Sequence, residues 1–298
     1  MSLLNLPSDG LPNVLVVLYS TMALARSPLT ADEVLDRVAP SGVVTEPRMA
    51  RVTLNRWIEL GLFRVDDANE RVGLALAPET DMKSDFDIVR ATRIAARHCA
   101  LSETNNPALW ARESARAADL TRSLAWLLAQ DVYRLRFSDA QALELKQVAN
   151  DDLRLMQNDT RKNGLQFWAH FLGFVRQPGG GDVDPTLAIR EALPACINAG
   201  EEMPAAEFIE RLAQRLPVLD AGVYRVAVEA QLERDALPSL HQGQLSTSLS
   251  RAMFSLMFDQ TLQFENKADV GRSVVFTGRD GIRADHRYSW VRRPRRAA

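Results

Sequence analysis

Three side chains with paired hydrogen-bonding groups recur at helical spacing near the N-terminus. Arg48, Arg51 and Asn55 stand at i, i+3 and i+7, so they share one face if this segment is a helix. Arginine matches the acceptor edge of guanine, and asparagine matches the paired donor and acceptor of adenine. Arg56 and Arg64 are near enough to contact a phosphate backbone. The spacing predicts a DNA-reading stripe, although any exposed helix face also needs solvated side chains.

The surrounding sequence predicts a helix under this stripe and a hairpin directly after it. Thr45 suits the N-cap, Pro47 suits the first turn, and Gly61 ends the helix. LFRV and RVGLAL then form two strands around the turn at 66–69. A separate apolar stripe is expected to face the core and consists of Ala50, Leu54, Trp57 and Ile58.

Two helices are predicted before this one, from about Leu11 to Ala25 and from Leu29 to Pro40, the second capped by Thr30. Three helices and a hairpin in this order are typical of a winged helix-turn-helix, which most often presents its third helix to the major groove. The predicted wing tip, DDANE, is acidic and would repel phosphates. Either the wing points away from DNA, or this module docks on protein.

The whole chain is predicted to be mainly α, with winged helix-turn-helix domains at both ends joined by an all-helical middle. Ser138 is expected to cap a helix in the middle domain, and Asn163-Gly164 to mark a break before an aromatic helix. The glycine-rich loop at 176–185 lacks the Lys-Ser/Thr of a phosphate-binding loop and is interpreted as a linker. The predicted domains are 1–80, 81–160, 161–284, which ends in the second winged helix, and a basic tail, 285–298.

In the second winged helix, Ser246 or Thr247 is predicted to cap a helix that reaches about Phe258. TLQFE and RSVVFTG are predicted to form the hairpin after it. Ser248 and Arg251 at the helix start are candidate phosphate ligands, although capping alone explains hydroxyl groups there.

Further cationic side chains near the C-terminus are predicted to contact DNA. They are Lys267, Arg272, Arg292, Arg293, Arg295 and Arg296. Tyr288 and Trp290 lie among the arginines of the tail. The tail therefore either binds phosphates and stacks on bases, or is a disordered, solvated terminus.

Composition limits the class of protein. With 298 residues, 46% hydrophobic and 25% charged, the chain has the make-up of a soluble globular protein. Its net charge of -2 excludes a generally basic nucleic-acid binder, so DNA affinity must come from local charge. Cys99 and Cys196 have no metal-ligand spacing and fit a reducing cytoplasm. We expect a cytoplasmic protein without a secretory signal or a membrane span.

Catalytic signatures are missing from the sequence. The four histidines are scattered, and neither an HExxH motif, a GxSxG elbow nor a Walker-type loop occurs. Glu144 and Lys146 have the Glu-x-Lys spacing of some metal-dependent nucleases, but they fall in a predicted helix instead of a strand. The sequence therefore predicts a protein that is not an enzyme and holds no cofactor or metal.

Four segments together resemble the DpdG family: SLLNLPSDGLPNVLVVLYSTM, ADLTRSLAWLLAQD, GLQFWAHFLGFV and LSTSLSRAM. The resemblance implies a bacterial system that inserts 7-deazaguanine bases into DNA and restricts unmodified DNA. It also implies helicase, ATPase or nuclease partner subunits. It transfers no catalytic residue.

The leading hypothesis is a non-enzymatic subunit that binds double-stranded DNA and brings it to partner enzymes of this anti-phage system. One alternative is a winged-helix adaptor that docks on other subunits, which the acidic DDANE and the near-neutral charge favour. Another is a transcription repressor, which requires a symmetric homodimer.

Overall fold

The computed structural model describes residues 3–5, 10–40, 42–43, 47–66, 68, 70–78, 82–110, 116–176, 182–267 and 272–295, without the side chains of 283–285. Within these residues the chain is mainly α, with eleven α-helices and three small sheets. Contacts divide it into two compact units. The N-terminal unit is Met1–Leu120 with Asn158–Leu172, and the C-terminal unit is Thr121–Gln157 with Gly173–Ala298. The residues predicted as a middle domain are thus divided between the two units.

The N-terminal unit opens with three helices and three strands. They are α1 (Pro12–Ala23), β1 (Leu29–Thr30), α2 (Ala31–Val38), α3 (Arg48–Glu59), β2 (Phe63–Asp66) and β3 (Arg71–Leu74). The strands form an antiparallel sheet in the order β1-β3-β2. The predicted hairpin is confirmed, with Phe63 opposite Leu74 and Asp66 opposite Arg71. The two-residue strand β1 was not predicted.

Local signals explain the ends of these helices. Thr30 and Glu33 form a capping box, in which the backbone N–H of Glu33 donates to Thr30 Oγ1 over 3.2 Å and that of Thr30 to Glu33 Oε2 over 2.8 Å. Gly61 follows α3 with φ +80°, a conformation that favours glycine. Pro47 directly precedes α3 instead of lying in its first turn, and the predicted cap Thr45 lies outside the described residues.

Two longer helices, α4 (Asp85–Ala100) and α7 (Asp159–Phe171), complete the N-terminal unit. The break predicted at Asn163-Gly164 is wrong, because α7 runs through both residues. Gly164 has a packing role instead: a Cβ there would overlap the backbone carbonyl of Leu4. The glycine thus lets the N-terminal segment lie directly against α7.

The C-terminal unit combines six α-helices with two sheets among its described residues. Its elements are α5 (Ala118–Ala129, which begins in the N-terminal unit), α6 (Ala140–Gln147), α8 (Thr186–Cys196), β4 (Glu202–Pro204), α9 (Ala205–Arg215), α10 (Val223–Glu229), α11 (Thr247–Phe258), β5 (Gln263–Glu265), β6 (Val274–Gly278), β7 (Gly281–Tyr288) and β8 (Trp290–Arg292). One sheet has the antiparallel order β4-β8-β5, and β6 pairs with β7 in a separate hairpin.

Pairing in this unit differs from the predicted hairpin. The segments TLQFE and RSVVFTG do contain β5 and β6, but β5 pairs with β8 and β6 with β7. The tail is therefore folded as far as Arg292 and is not a solvated terminus there. Val291 explains this, because it is buried between Met203 and Phe264 on the neighbouring strands.

The predicted cap of α6 is also wrong. The hydroxyl of Ser138 donates a hydrogen bond to Asp139 Oδ1 over 2.9 Å instead of accepting one from the helix backbone. A short 3-10 turn lies before α6, which begins at Ala140. Ser246 does cap α11, as predicted, by accepting from the backbone N–H of Leu249 over 3.3 Å.

Candidate nucleic-acid interface

The predicted stripe on α3 lies on the exposed side of the helix. Arg48, Arg51 and Asn55 are exposed, whereas Leu54 and Trp57 on the other side are buried. Within the described part of the chain, the side chains of Arg48 and Asn55 make no ion pair or hydrogen bond. The stripe therefore presents hydrogen-bonding groups that are ready for a ligand.

Arg51 has an intramolecular partner that a ligand can replace. Its Nη2 lies 3.1 Å from Asp32 Oδ1, and the two side chains are 60% and 86% exposed. A pair this exposed typically contributes up to about 1 kcal/mol, because water screens both charges. The guanidinium can therefore exchange Asp32 for a base edge or a phosphate at small cost.

Arg56 corrects the sequence prediction, because its side chain is only 5% exposed. Its Nη1 donates to Glu59 Oε2 over 2.8 Å, and its Nη2 donates to the carbonyl oxygen of Arg116. The physical reason is helical geometry: Thr53 and Leu60, one turn away on either side, are themselves buried. Arg56 therefore anchors α3 inside its own unit and does not reach a phosphate.

The hairpin beside α3 carries charges of both signs. Arg64 on β2 is exposed, as the phosphate contact predicted for it requires. Asp66 and Glu70 at the turn are also exposed, whereas Asp67 and Asn69 lie outside the described residues. Carboxylates at the turn repel phosphates. Favourable contacts with DNA would thus centre on α3 and Arg64.

The start of α11, in the C-terminal unit, is closed to phosphate. Asp220 already occupies it, since its carboxylate accepts from Ser246 N over 2.6 Å and from Ser246 Oγ over 2.7 Å. Ser248 is fully buried, and its Oγ donates to the carbonyl oxygen of Leu128 over 2.6 Å. The prediction that Ser248 binds phosphate is therefore wrong: the residues at the end of α5 cover it.

Four cations that the sequence assigned to DNA have partners within the C-terminal unit. Arg251 lies 3.7 Å from Asp182 and 3.8 Å from Asp184, with its side chain 22% exposed. Lys267 Nζ lies 2.6 Å from Glu202 Oε1 and 4.3 Å from the ring centre of Trp290. Arg272 Nη1 is 3.6 Å from Glu210 Oε1, and Arg293 Nη1 donates to the carbonyl oxygen of Ile197 over 2.9 Å. The partly buried pairs of Arg251 and Lys267 reduce the positive charge offered to DNA. The pair of Arg272 with Glu210 is 77% and 62% exposed, so it is as exchangeable as that of Arg51 with Asp32.

Arg292 and Arg295 are exposed, and Arg296 lies outside the described residues. The structure thus brings Arg48, Arg51 and Asn55 together on one helix face. The cations of the C-terminal unit are instead distributed over α11, β8 and the segments beside β5, β6 and β8.

Glu144, which the sequence raised as a candidate for catalysis, has a structural role here. Glu144 is buried in α6, and its carboxylate accepts from the backbone N–H groups of Leu155 and Met156, each over 2.8 Å. Among the described residues, no group of three or more His, Cys, Asp or Glu side chains is arranged to hold a metal ion.

None of the helices described here has the length and apolar character needed to cross a membrane.

Both cysteines are free, and burial raises the pKa of each thiol, that of Cys99 to about 11. A thiol with that pKa holds about 100-fold less thiolate at pH 8 than one of pKa 9. We expect iodoacetamide to alkylate Cys99 slowly at pH 8 in the native protein and rapidly in urea. Mass spectrometry of timed samples measures this. Equal rates in both states would contradict the burial of this thiol.

A groove in the C-terminal unit was not predicted from the sequence. It has a volume of about 1150 Å³ and lies between α10, the loop after it, the start of α11 and the β6–β7 turn. Its charged lining residues are Asp131, Glu229, Glu233, Asp235, Asp280, Arg134, Arg225 and Arg279. Five carboxylates against three guanidiniums do not favour a nucleic acid. Leu240 and Ile282 also line it and are 43% and 46% exposed, so an apolar surface is available beside these charges.

The comparison with protein families identifies the class to which this chain belongs. The model of the family described as DpdG-like matches residues 1–270. The chain therefore belongs to the DpdG-like family, as the resemblance of its segments predicted. Membership links it to the Dpd system of 7-deazaguanine modification, which has other subunits. Neither the curated proteins nor the solved structures contain a match.

Proposed function

We propose that this chain is a non-enzymatic DNA-binding subunit of the Dpd system and brings duplex DNA to partner enzymes. The observation that carries the proposal is the outer face of α3, where Arg48 and Asn55 lie exposed beside the weakly held Arg51. Their side-chain types suit the major-groove edges of guanine and adenine.

We also propose that both ends of the chain are winged helix-turn-helix modules. The N-terminal order is helix, strand, helix, helix, strand, strand, and its sheet order is β1-β3-β2. The elements α8, β4, α9, α11, β5 and β8 follow the same order, with the sheet order β4-β8-β5. In this comparison α10 is an insertion, and the β6–β7 hairpin is inserted where the wing would be.

The two proposed modules differ at the helix that would read DNA. In the first, α3 has an exposed polar face. In the second, Ser246, Ser248 and Leu249 at the start of α11 are buried, and the Asp220 carboxylate accepts from the backbone N–H and the hydroxyl of Ser246. A recognition helix uses its N-terminal residues to contact bases. We therefore assign base contacts to the first module alone.

The test is a mobility-shift measurement with the triple variant Arg48→Ala, Arg51→Ala, Asn55→Ala and a duplex of mixed sequence. A bidentate base contact contributes about 1–3 kcal/mol, so the three changes should weaken binding by about 100-fold or more. If both arginines also neutralise phosphates, the slope of log affinity against log salt should fall by about two.

A matched control removes the same groups from other exposed positions of the N-terminal unit: Arg26→Ala, Arg90→Ala, Asn163→Ala. This variant has the same net charge as the test variant and should bind DNA within about twofold of the unchanged protein. Unchanged affinity in the α3 variant would remove the first module from the DNA interface.

The groove of the C-terminal unit favours a second candidate function, that of an adaptor for other subunits. Leu240 and Ile282 are exposed apolar side chains at a concave surface, as expected where another protein docks. Changing both to glutamate should abolish co-purification with the Dpd subunits, whereas Leu145→Glu on α6, 58% exposed, should not. Co-purification that survives the double change would exclude the groove as the docking surface.

A further inference from the structure

A small pocket in the C-terminal unit gathers positive charge at the end of the chain. It has a volume of about 400 Å³ and is lined by Gly200, Gln263, Arg292, Pro294 and Arg295. In the β4-β8-β5 sheet, Arg292 stands opposite Gln263 on one side and opposite Glu202 on the other. Directly opposed residues project from the same face of a sheet, so Arg292 and Gln263 share one face, whereas the buried Val291 projects from the other. The pocket opens beside the face that carries Arg292.

Backbone pairing holds the two arginines in place. Beyond β8, Arg293 N donates to the carbonyl oxygen of Glu201 over 3.0 Å, and Gly200 N donates to that of Arg293 over 2.7 Å. Gly200 has φ +88°, and a Cβ there would lie only 2.7 Å from Arg295 Nε. The side chain of Arg295 thus lies across the glycine, and a larger residue would displace it.

The nearby carboxylates do not neutralise this pocket. Glu202 pairs with Lys267 over 2.6 Å, and Glu201 accepts from the backbone N–H of Asn198 over 2.8 Å. Glu265 stands opposite Trp290, two residues along the strand from Arg292. Among the described residues, no carboxylate lies within 4.0 Å of the guanidinium of Arg292 or Arg295. Within the described part of the chain, neither guanidinium of the pocket is therefore in an ion pair, and the amide of Gln263 lies beside them.

We propose that this pocket is a binding site for a phosphate group. Guanidinium groups donate two parallel hydrogen bonds to phosphate oxygens, and the Gln263 side chain can donate a further one. The volume accommodates a phosphate together with part of the molecule that carries it. That phosphate belongs either to the backbone of DNA or to a free nucleotide. The proposal does not depend on α3, which belongs to the other unit.

The test uses the full chain and two probes, pyrophosphate and a short DNA duplex, with binding measured by titration calorimetry. The double variant Arg292→Ala, Arg295→Ala should weaken binding of at least one probe by about tenfold or more, since each charged hydrogen bond is strong. The matched control Arg136→Ala, Arg234→Ala removes two exposed arginines elsewhere in the same unit. It should bind both probes within about twofold of the unchanged protein.

A third variant separates a built site from diffuse charge. Gly200→Ala keeps every charge but displaces Arg295, so it should weaken the same probe by about threefold or more. Loss of duplex binding assigns the phosphate to DNA, and loss of pyrophosphate binding alone assigns it to a nucleotide. The proposal is overturned if the unchanged protein binds neither probe, if the arginine variant matches its control, or if Gly200→Ala has no effect. The α3 triple variant should leave pyrophosphate binding unchanged, which keeps the two proposals separable.

Discussion

Replacing Trp57 with alanine is expected to lower the free energy of unfolding of the N-terminal unit by about 3–5 kcal/mol. The indole is fully buried on the inner face of α3, with its ring centre 5.5 Å from that of Trp168 on α7. Truncation removes this aromatic contact and leaves a cavity that rigid neighbours fill only in part. Urea denaturation followed by far-UV circular dichroism measures the loss. DNA binding should fall with it, because α3 loses its support.

Phe86→Ala is the matched control for this change. Phe86 lies on α4 in the same unit and is 88% exposed, so its removal should change the free energy of unfolding by no more than about 0.5 kcal/mol. If Trp57→Ala cost as little as Phe86→Ala, the inner face of α3 would not be part of the core.

Replacing Arg225 with alanine is expected to destabilise the C-terminal unit by about 3–5 kcal/mol, because it leaves buried charge uncompensated. Arg225 is 2% exposed, its Nε bonds Glu229 Oε1 over 2.5 Å, and its Nη1 lies 3.5 Å from Asp220 Oδ1. Asp220 also accepts from the backbone N–H and the hydroxyl of Ser246, the residue that caps α11. Loss of the arginine should therefore loosen the start of that helix.

Hydrogen exchange followed by mass spectrometry locates this effect. Peptides covering 217–229 and 245–258 should exchange faster in Arg225→Ala, whereas peptides of α1 and α3 should not. Arg234→Ala, an exposed arginine of the same unit, provides the control and should leave exchange in both segments unchanged. Unchanged protection of α11 in Arg225→Ala would show that Asp220 holds the helix without its counter-charge.

Much of the N-terminal fold could be predicted, because neighbouring residues determine it. Thr30 caps α2 and Gly61 ends α3, as the sequence indicated. The hairpin follows from two short strands on either side of a tight turn. The exposed positions of Arg48, Arg51 and Asn55 follow from the apolar stripe on the other side of the same helix.

Contacts between distant residues could not be predicted. Arg56 looks like a surface cation until its bond to the Arg116 carbonyl, sixty residues away, is known. The β6–β7 hairpin lies between β5 and β8 in the sequence, yet β5 pairs with β8. The local pattern of the sequence favours pairing of β5 with the nearer strand β6 instead. Gly164 reads as a helix break unless the approach of Leu4 is known. Each of these errors comes from a tertiary contact that overrides a local preference.

The proposed contact of α3 with DNA can be tested most directly by photo-crosslinking from position 55. A benzophenone amino acid at this exposed position should crosslink to bound duplex DNA under ultraviolet light. The same amino acid in place of Asn163, exposed in the same unit, should not. Crosslinking to DNA from 55 well above that from 163 is the result expected here. Equal yields at both positions, while the protein still binds the duplex, would contradict the account.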